Sequence, residues 1–101
     1  MKMTPLHHCV VYNDTTVAEM LIQAGASINA QNDCGDTPIH LAAYFNNIPH
    51  VSMLIKANAD VNIENIDNQT PIDRASAVAN TTVVKLLKAA PGYKVKNKKW
   101  R

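Results

Sequence analysis

Residues Thr4-Pro5-Leu6-His7 return as Thr37-Pro38-Ile39-His40 and again as Thr70-Pro71-Ile72-Asp73, each time 33 residues on. The register extends beyond this motif. Met20-Leu21-Ile22 aligns with Met53-Leu54-Ile55, and Ala24, Ala26 and Asn29 align with Ala57, Ala59 and Asn62. Asp14-Thr15-Thr16-Val17 aligns with Asn80-Thr81-Thr82-Val83 two periods later. A fixed period of this length constrains the chain more than any other feature. Each copy is one supersecondary unit with too little apolar surface to close a core alone. Stability then comes from stacking roughly three or more copies into a linear array. At 101 residues the chain holds about that minimum, so a small core and modest stability are expected.

Each unit spells a pair of helices followed by a polar turn. Thr37 is a favourable N-cap, because its hydroxyl accepts from the first orphan backbone N–H groups. Pro38 follows at the first helical position, where its missing N–H costs nothing. Ile39, Leu41, Ala42 and Ala43 then give a short helix with a small-residue face. Asn46-Asn47 interrupts it, and Asn47 is expected to cap the next helix, as are Asp14 and Asn80 in the other units. Pro49 falls in the first turn of that second helix, where proline is tolerated. Val51, Met53, Leu54 and Ile55 supply its apolar stripe. The helix is expected to end near Ala57-Asn58, or Ala24-Gly25 in the first unit, where Asn and Gly accept the left-handed conformation. Polar turns at 29–36 and 62–69 follow, with Gly35 and Asn68 at matching positions that favour positive φ.

With these residues in view, the chain resembles the ankyrin repeat family. The motifs T-P-L-H, T-P-I-H and T-P-I-D at the 33-residue period carry the resemblance. So do Gly25-Ala26-Ser27-Ile28-Asn29 and Asn58-Ala59-Asp60-Val61-Asn62, which are similar to the family's G-A-D-V-N ending. The resemblance implies an all-α solenoid of stacked helix–turn–helix units with β-hairpin-like finger loops along one edge. Repeats are expected at 4–36, 37–69 and 70–93, the last incomplete, so that 1–93 forms the repeat domain and 94–101 a basic C-terminal tail. The first unit lacks the finger that would precede Thr4, which points to truncation, an unusual cap or an end-to-end contact with another molecule. His8 takes the slot of Leu41, and His50 that of Val17 and Val83. Asp73, Arg74 and Ser76 replace His40, Leu41 and Ala43, polar residues that suit a terminal unit.

The formal charge of +2 conceals an asymmetry. Five of the ten bases, Lys94, Lys96, Lys98, Lys99 and Arg101, lie in the last eight residues, while the preceding 93 carry five bases against eight acids. No apolar run approaches the ~18 residues needed to cross a bilayer, and the first residues do not form a signal-peptide core. Reduced Cys9 and Cys34 in the cytoplasm or the nucleus are therefore expected.

Catalytic signals are missing: there is no Gly-rich phosphate loop, no G-x-S-x-G and no H-E-x-x-H. Cys34 sits among acids, the opposite of the setting that activates a nucleophilic thiol. His7, His8 and Cys9 are adjacent and point in different directions on a helix, so they do not share a metal ion. By resemblance, His7 and His40 are structural hydrogen-bonding residues beside the N-cap threonines. Neither an enzyme, a metal nor a cofactor is expected.

A non-catalytic protein-interaction module is the expected function. In the resembled family, partners touch the finger tips and the exposed face of the first helix of each unit. By position, the fingers supply Gln31, Asp33, Cys34 and Asp36, then Glu64, Ile66, Asp67 and Gln69. The helix faces supply Val11 and Tyr12, Tyr44 and Phe45, and Ala77 and Val78. Aromatic anchors are enriched at binding hot spots, and Tyr12, Tyr44 and Phe45 are three of the five aromatic residues. Acids at Asp33, Asp36, Glu64 and Asp67 favour a partner with a basic rim.

Two other readings accompany this one. The tail, with Trp100, is a candidate adaptor to nucleic acid or an anionic membrane, set against a solvated end or one in which Tyr93, Val95 and Trp100 cover the last repeat. The first repeat's open edge is a candidate for self-association as part of a longer array. Finally, Leu54, Asp60, Val61 and Asn62 resemble the pattern at which ankyrin repeats are hydroxylated on asparagine, which makes Asn62 a candidate modification site.

Overall fold

The computed structural model describes residues 2–95, which form six helices. They are α1 (Pro5–Val11), α2 (Thr15–Gln23), α3 (Pro38–Tyr44), α4 (Ile48–Lys56), α5 (Pro71–Ala77) and α6 (Thr81–Lys88). Each odd-numbered helix packs on the even-numbered one that follows it. The odd helices stack on one another as one layer and the even helices as a second. The molecule is elongated, with principal extents of 46 × 28 × 23 Å. This is the all-α solenoid that the resemblance implied.

Three equivalent devices start the first layer. Thr4, Thr37 and Thr70 are extended N-caps whose hydroxyls accept from the backbone N–H three residues on, and proline follows each. The side chain at that third position returns to the threonine's own N–H, closing a capping box in every unit. His7 and His40 do this with Nδ1, at 3.0 Å in both cases, and Asp73 does it with a carboxylate oxygen, also at 3.0 Å. The third unit thus keeps the box by replacing an imidazole acceptor with a carboxylate.

The second layer starts as expected at α2 but not at α4 or α6. Asp14 caps α2, its carboxylate accepting from Val17 N–H at 3.0 Å. Asn47 and Asn80 hold the N-cap positions of α4 and α6 but make no side-chain cap bond. Their amide groups reach into the preceding unit instead: Asn47 Nδ2 donates to Val10 O, and Asn80 Nδ2 donates to Ala43 O at 2.8 Å. The physical reason lies in the side chain. An amide has N–H groups to donate to the carbonyls at the end of the previous unit's first helix, whereas a carboxylate has none. His50 adds a third tie between units, with Nε2 3.1 Å from Asp14 O.

The core follows the same register. Leu54 and Leu87 are buried, as are Val51, Val83, Ile39 and Leu6, each contributing about 1.5–3 kcal/mol through burial. Left-handed residues close each helix pair: Asn13, Asn46 and Ala79 between the helices, Gly25 and Asn58 after the second. The finger turns contain no strand among the described residues, yet they close as hairpins. Asn32 N–H donates to Asp36 O and Asn65 N–H to Gln69 O, at 3.0 and 2.9 Å. Gly35 (φ +78°) makes their stacking possible, since a Cβ there would lie 2.8 Å from Ile66 N.

Candidate interaction surface

The ends of the first-layer helices carry the expected apolar residues. Tyr12, Phe45 and Val78 are the C-caps of α1, α3 and α5. They stand one period apart and are all exposed, at 76%, 47% and 37%. Tyr44 is 39% exposed and meets Phe45 edge to face, with ring centroids 5.1 Å apart. Ala77 is exposed, Val11 is half-buried, and Tyr12 is stacked on His8. A helix-end position cannot bury its side chain in the stack, so apolar residues here form a repeated exposed column.

The finger residues divide into two groups. Asp33, Cys34, Glu64, Ile66 and Asp67 are exposed, Ile66 at 68%. Gln31 and Gln69 are half-buried and occupied in the loops. Gln31 Nε2 donates to Gly35 O at 2.9 Å, and Gln69 Oε1 accepts from Asn65 Nδ2 at 3.2 Å. Asp36 departs from the expected fingertip: it is 4% exposed and accepts from Asn65 Nδ2 at 2.9 Å. The reason is its position directly before Thr37, where the chain turns into the buried start of α3. Sequence reasoning had missed Asn32 and Asn65. Their side-chain oxygens each accept two backbone N–H groups of their own finger, at 2.9 and 3.0 Å in both cases. The signal available was their common register in two polar turns.

Arg74 was also missed. It occupies the slot of buried Leu41, and its polarity was expected to suit the open end of the array. Instead it turns toward the middle unit. Its guanidinium carbon lies 4.3 Å above the Tyr44 ring centroid, and Nη2 is 3.7 Å from Asp36 Oδ2. Arg74 thereby joins a finger residue to the aromatic helix-end set.

His7 and His40 are fully buried and tie successive units together. Each Nδ1 accepts the threonine N–H, so it carries no proton, and each Nε2–H donates to a carbonyl of the next finger, Asp36 O at 2.8 Å and Gln69 O at 2.9 Å. Burial holds both imidazoles below the usual histidine pKa, partly offset by these carbonyls. Cys9 is buried and Cys34 exposed, both with free thiols. Burial, with Asp14 nearby, pushes the Cys9 thiol up. Among the described residues no group of three or more His, Cys, Asp or Glu is placed to hold a metal ion, and no helix is long and apolar enough to cross a membrane.

Asn62 is half-buried and engaged at both ends: Nδ2 donates to Gly92 O at 2.8 Å and Oδ1 accepts from Lys94 N–H at 2.9 Å. This clamp fixes the start of the basic segment. Tyr93 packs on the core and Val95 is 80% exposed. The expectations placed on Lys96, Lys98, Lys99, Trp100 and Arg101 lie outside the described residues.

Comparison with known families gives a match over residues 6–99 to the family described as ankyrin repeats, in three copies. A search of curated proteins gives no match to this chain.

Proposed function

The chain belongs to the ankyrin repeat family, whose members are in general non-catalytic protein-interaction modules, and from that premise we propose that it captures a partner protein on the concave side of the stack. The observation that carries this reading is the in-register exposed column Tyr12, Phe45 and Val78, with Tyr44 beside it. Exposed apolar residues that recur at one register position of a stacked scaffold share a face, and exposed apolar faces mark interaction sites. Tyr12, Tyr44 and Phe45 act as anchors, flanked by Val11, Ala77 and Val78. The exposed finger acids Asp33, Glu64 and Asp67 favour basic residues at the partner's rim, while Cys34 and Ile66 complete the finger surface. Gln31, Asp36 and Gln69 shape the loops from within. The two free thiols support a reducing compartment, the cytoplasm or the nucleus.

The test is affinity capture of binding proteins by wild type and by a Tyr44→Ala/Phe45→Ala variant. The double variant is expected to lose most of the captured partner, by about 2 kcal/mol or more at hot-spot positions, with unchanged helical circular dichroism. Equal capture by a folded variant removes this surface from consideration.

A further inference from the structure

We infer that Arg74 is the polar anchor of the interaction surface and receives a carboxylate from a peptide segment of the partner; this rests on the surface assigned above. Arg74 lies where the middle unit has buried Leu41, and its side chain is half-buried there, with 23% of its area exposed and Nε buried. The Tyr44 ring supports one face of the guanidinium at 4.3 Å. That contact fixes the fork in a defined plane before any partner arrives. Among the described residues the fork has an ion pair, with Asp36, but no hydrogen bond. Asp36 Oδ2 lies 3.7 Å from Nη2, beyond hydrogen-bond distance, and the Asp36 carboxylate is already bonded to Asn65 Nδ2. Nε is buried with no acceptor. Among the described residues the guanidinium makes no hydrogen bond, although it offers five donors.

A guanidinium held on Tyr44 and lacking hydrogen bonds, on the surface that also carries Phe45, Ala77 and Val78, calls for a planar acceptor carried on an otherwise apolar segment. A carboxylate fits, because it accepts two parallel N–H bonds from the fork. With Nε turned inward, those bonds come from the two Nη groups. Asp36 at 3.7 Å and the exposed finger acids Asp33, Glu64 and Asp67 oppose any anion here, a singly charged carboxylate less than a more highly charged phosphate. The same finger acids call for basic residues elsewhere on the segment. The partner chemistry is therefore one Asp or Glu within an apolar stretch, flanked by Lys or Arg.

Panning a phage-displayed random-peptide library against the full chain tests this. Wild type is expected to enrich peptides with one acid among apolar residues. A synthetic peptide from that set should lose about tenfold or more in affinity when its acid is changed to the amide, or when the protein carries Arg74→Gln. Both changes together should cost little more than either alone, the signature of direct contact. Arg74→Leu, which restores the residue of the middle unit, supplies a second variant whose packing is already represented in the fold. Peptides that depend on Tyr44 and Phe45 but carry no acid and ignore Arg74→Gln would overturn the carboxylate inference and leave the surface standing. An equal loss for peptides with and without the acid would make Arg74 a structural residue and overturn it as well. No enriched peptide, or none sensitive to Tyr44→Ala/Phe45→Ala, would overturn both.

Discussion

At the scale of single residues, the left-handed position between the paired helices separates the units. Asn13, Asn46 and Ala79 adopt φ of 57°, 58° and 58° at equivalent sites. Asn tolerates this conformation because its short polar side chain bonds locally, while a residue such as Ala pays roughly 1–2 kcal/mol for its Cβ. Ala79 is exposed, so a larger polar side chain meets no packing penalty. Ala79→Asn is expected to stabilise the chain by about 0.5–1 kcal/mol, read as a higher urea midpoint at unchanged slope. An unchanged or lower midpoint would show that the strain is relieved elsewhere. The repeat itself makes this site legible, since two units display the residue that the third lacks. Gly35 was equally legible as a left-handed residue. Its contact with the Ile66 backbone was not, because that depends on how closely successive fingers stack.

At the scale of elements, the three helix starts of the first layer could be read directly, since capping is local: Thr, then Pro, then an acceptor at the third position. The second layer could not be read so simply. Asn47 and Asn80 look like caps by position, yet their amides serve the carbonyls of the preceding unit. Only the juxtaposition of two units supplies that carbonyl. Asn80→Asp separates the two roles. A true cap would be kept or improved by Asp, which also suits the helix dipole. Loss of the tie to Ala43 O should instead destabilise the chain by about 1–2 kcal/mol. A neutral or stabilising result in urea denaturation would return Asn80 to the role of a cap.

At the scale of the whole molecule, stability is the sum of ties between neighbouring units, and two of these ties require neutral histidine. His7 and His40 accept a threonine N–H on Nδ1, so protonation there would set two donors against each other and break the box. Burial keeps both folded pKa values below the ordinary 6.5. The unfolded chain therefore takes up protons first as pH falls. Their contribution is complete above about pH 6.5 and declines as pH drops from there toward the lowered folded values, by at most about 1.4 kcal/mol per pH unit for each histidine. The expected result is a melting temperature that falls between pH 7 and about pH 5, with a smaller fall in a His7→Asn variant. A flat profile for the wild type would show that the two rings do not govern acid sensitivity.

The period, the helix pairs, the first-layer caps and the turn glycine were determined by the sequence alone. These are local or periodic properties, set by backbone dihedrals and by donors and acceptors within a few residues of one another. The exposed column of Tyr12, Phe45 and Val78 followed too, because one register position repeats its environment in every unit. Tertiary structure decided what depends on a neighbour 29 or more residues away. It buried Asp36 against Asn65, turned the amides of Asn47 and Asn80 into ties between units, and swung Arg74 onto Tyr44 rather than out from the end of the stack. Each of these side chains has several partners its chemistry would accept, and only stacking brings one of them within reach.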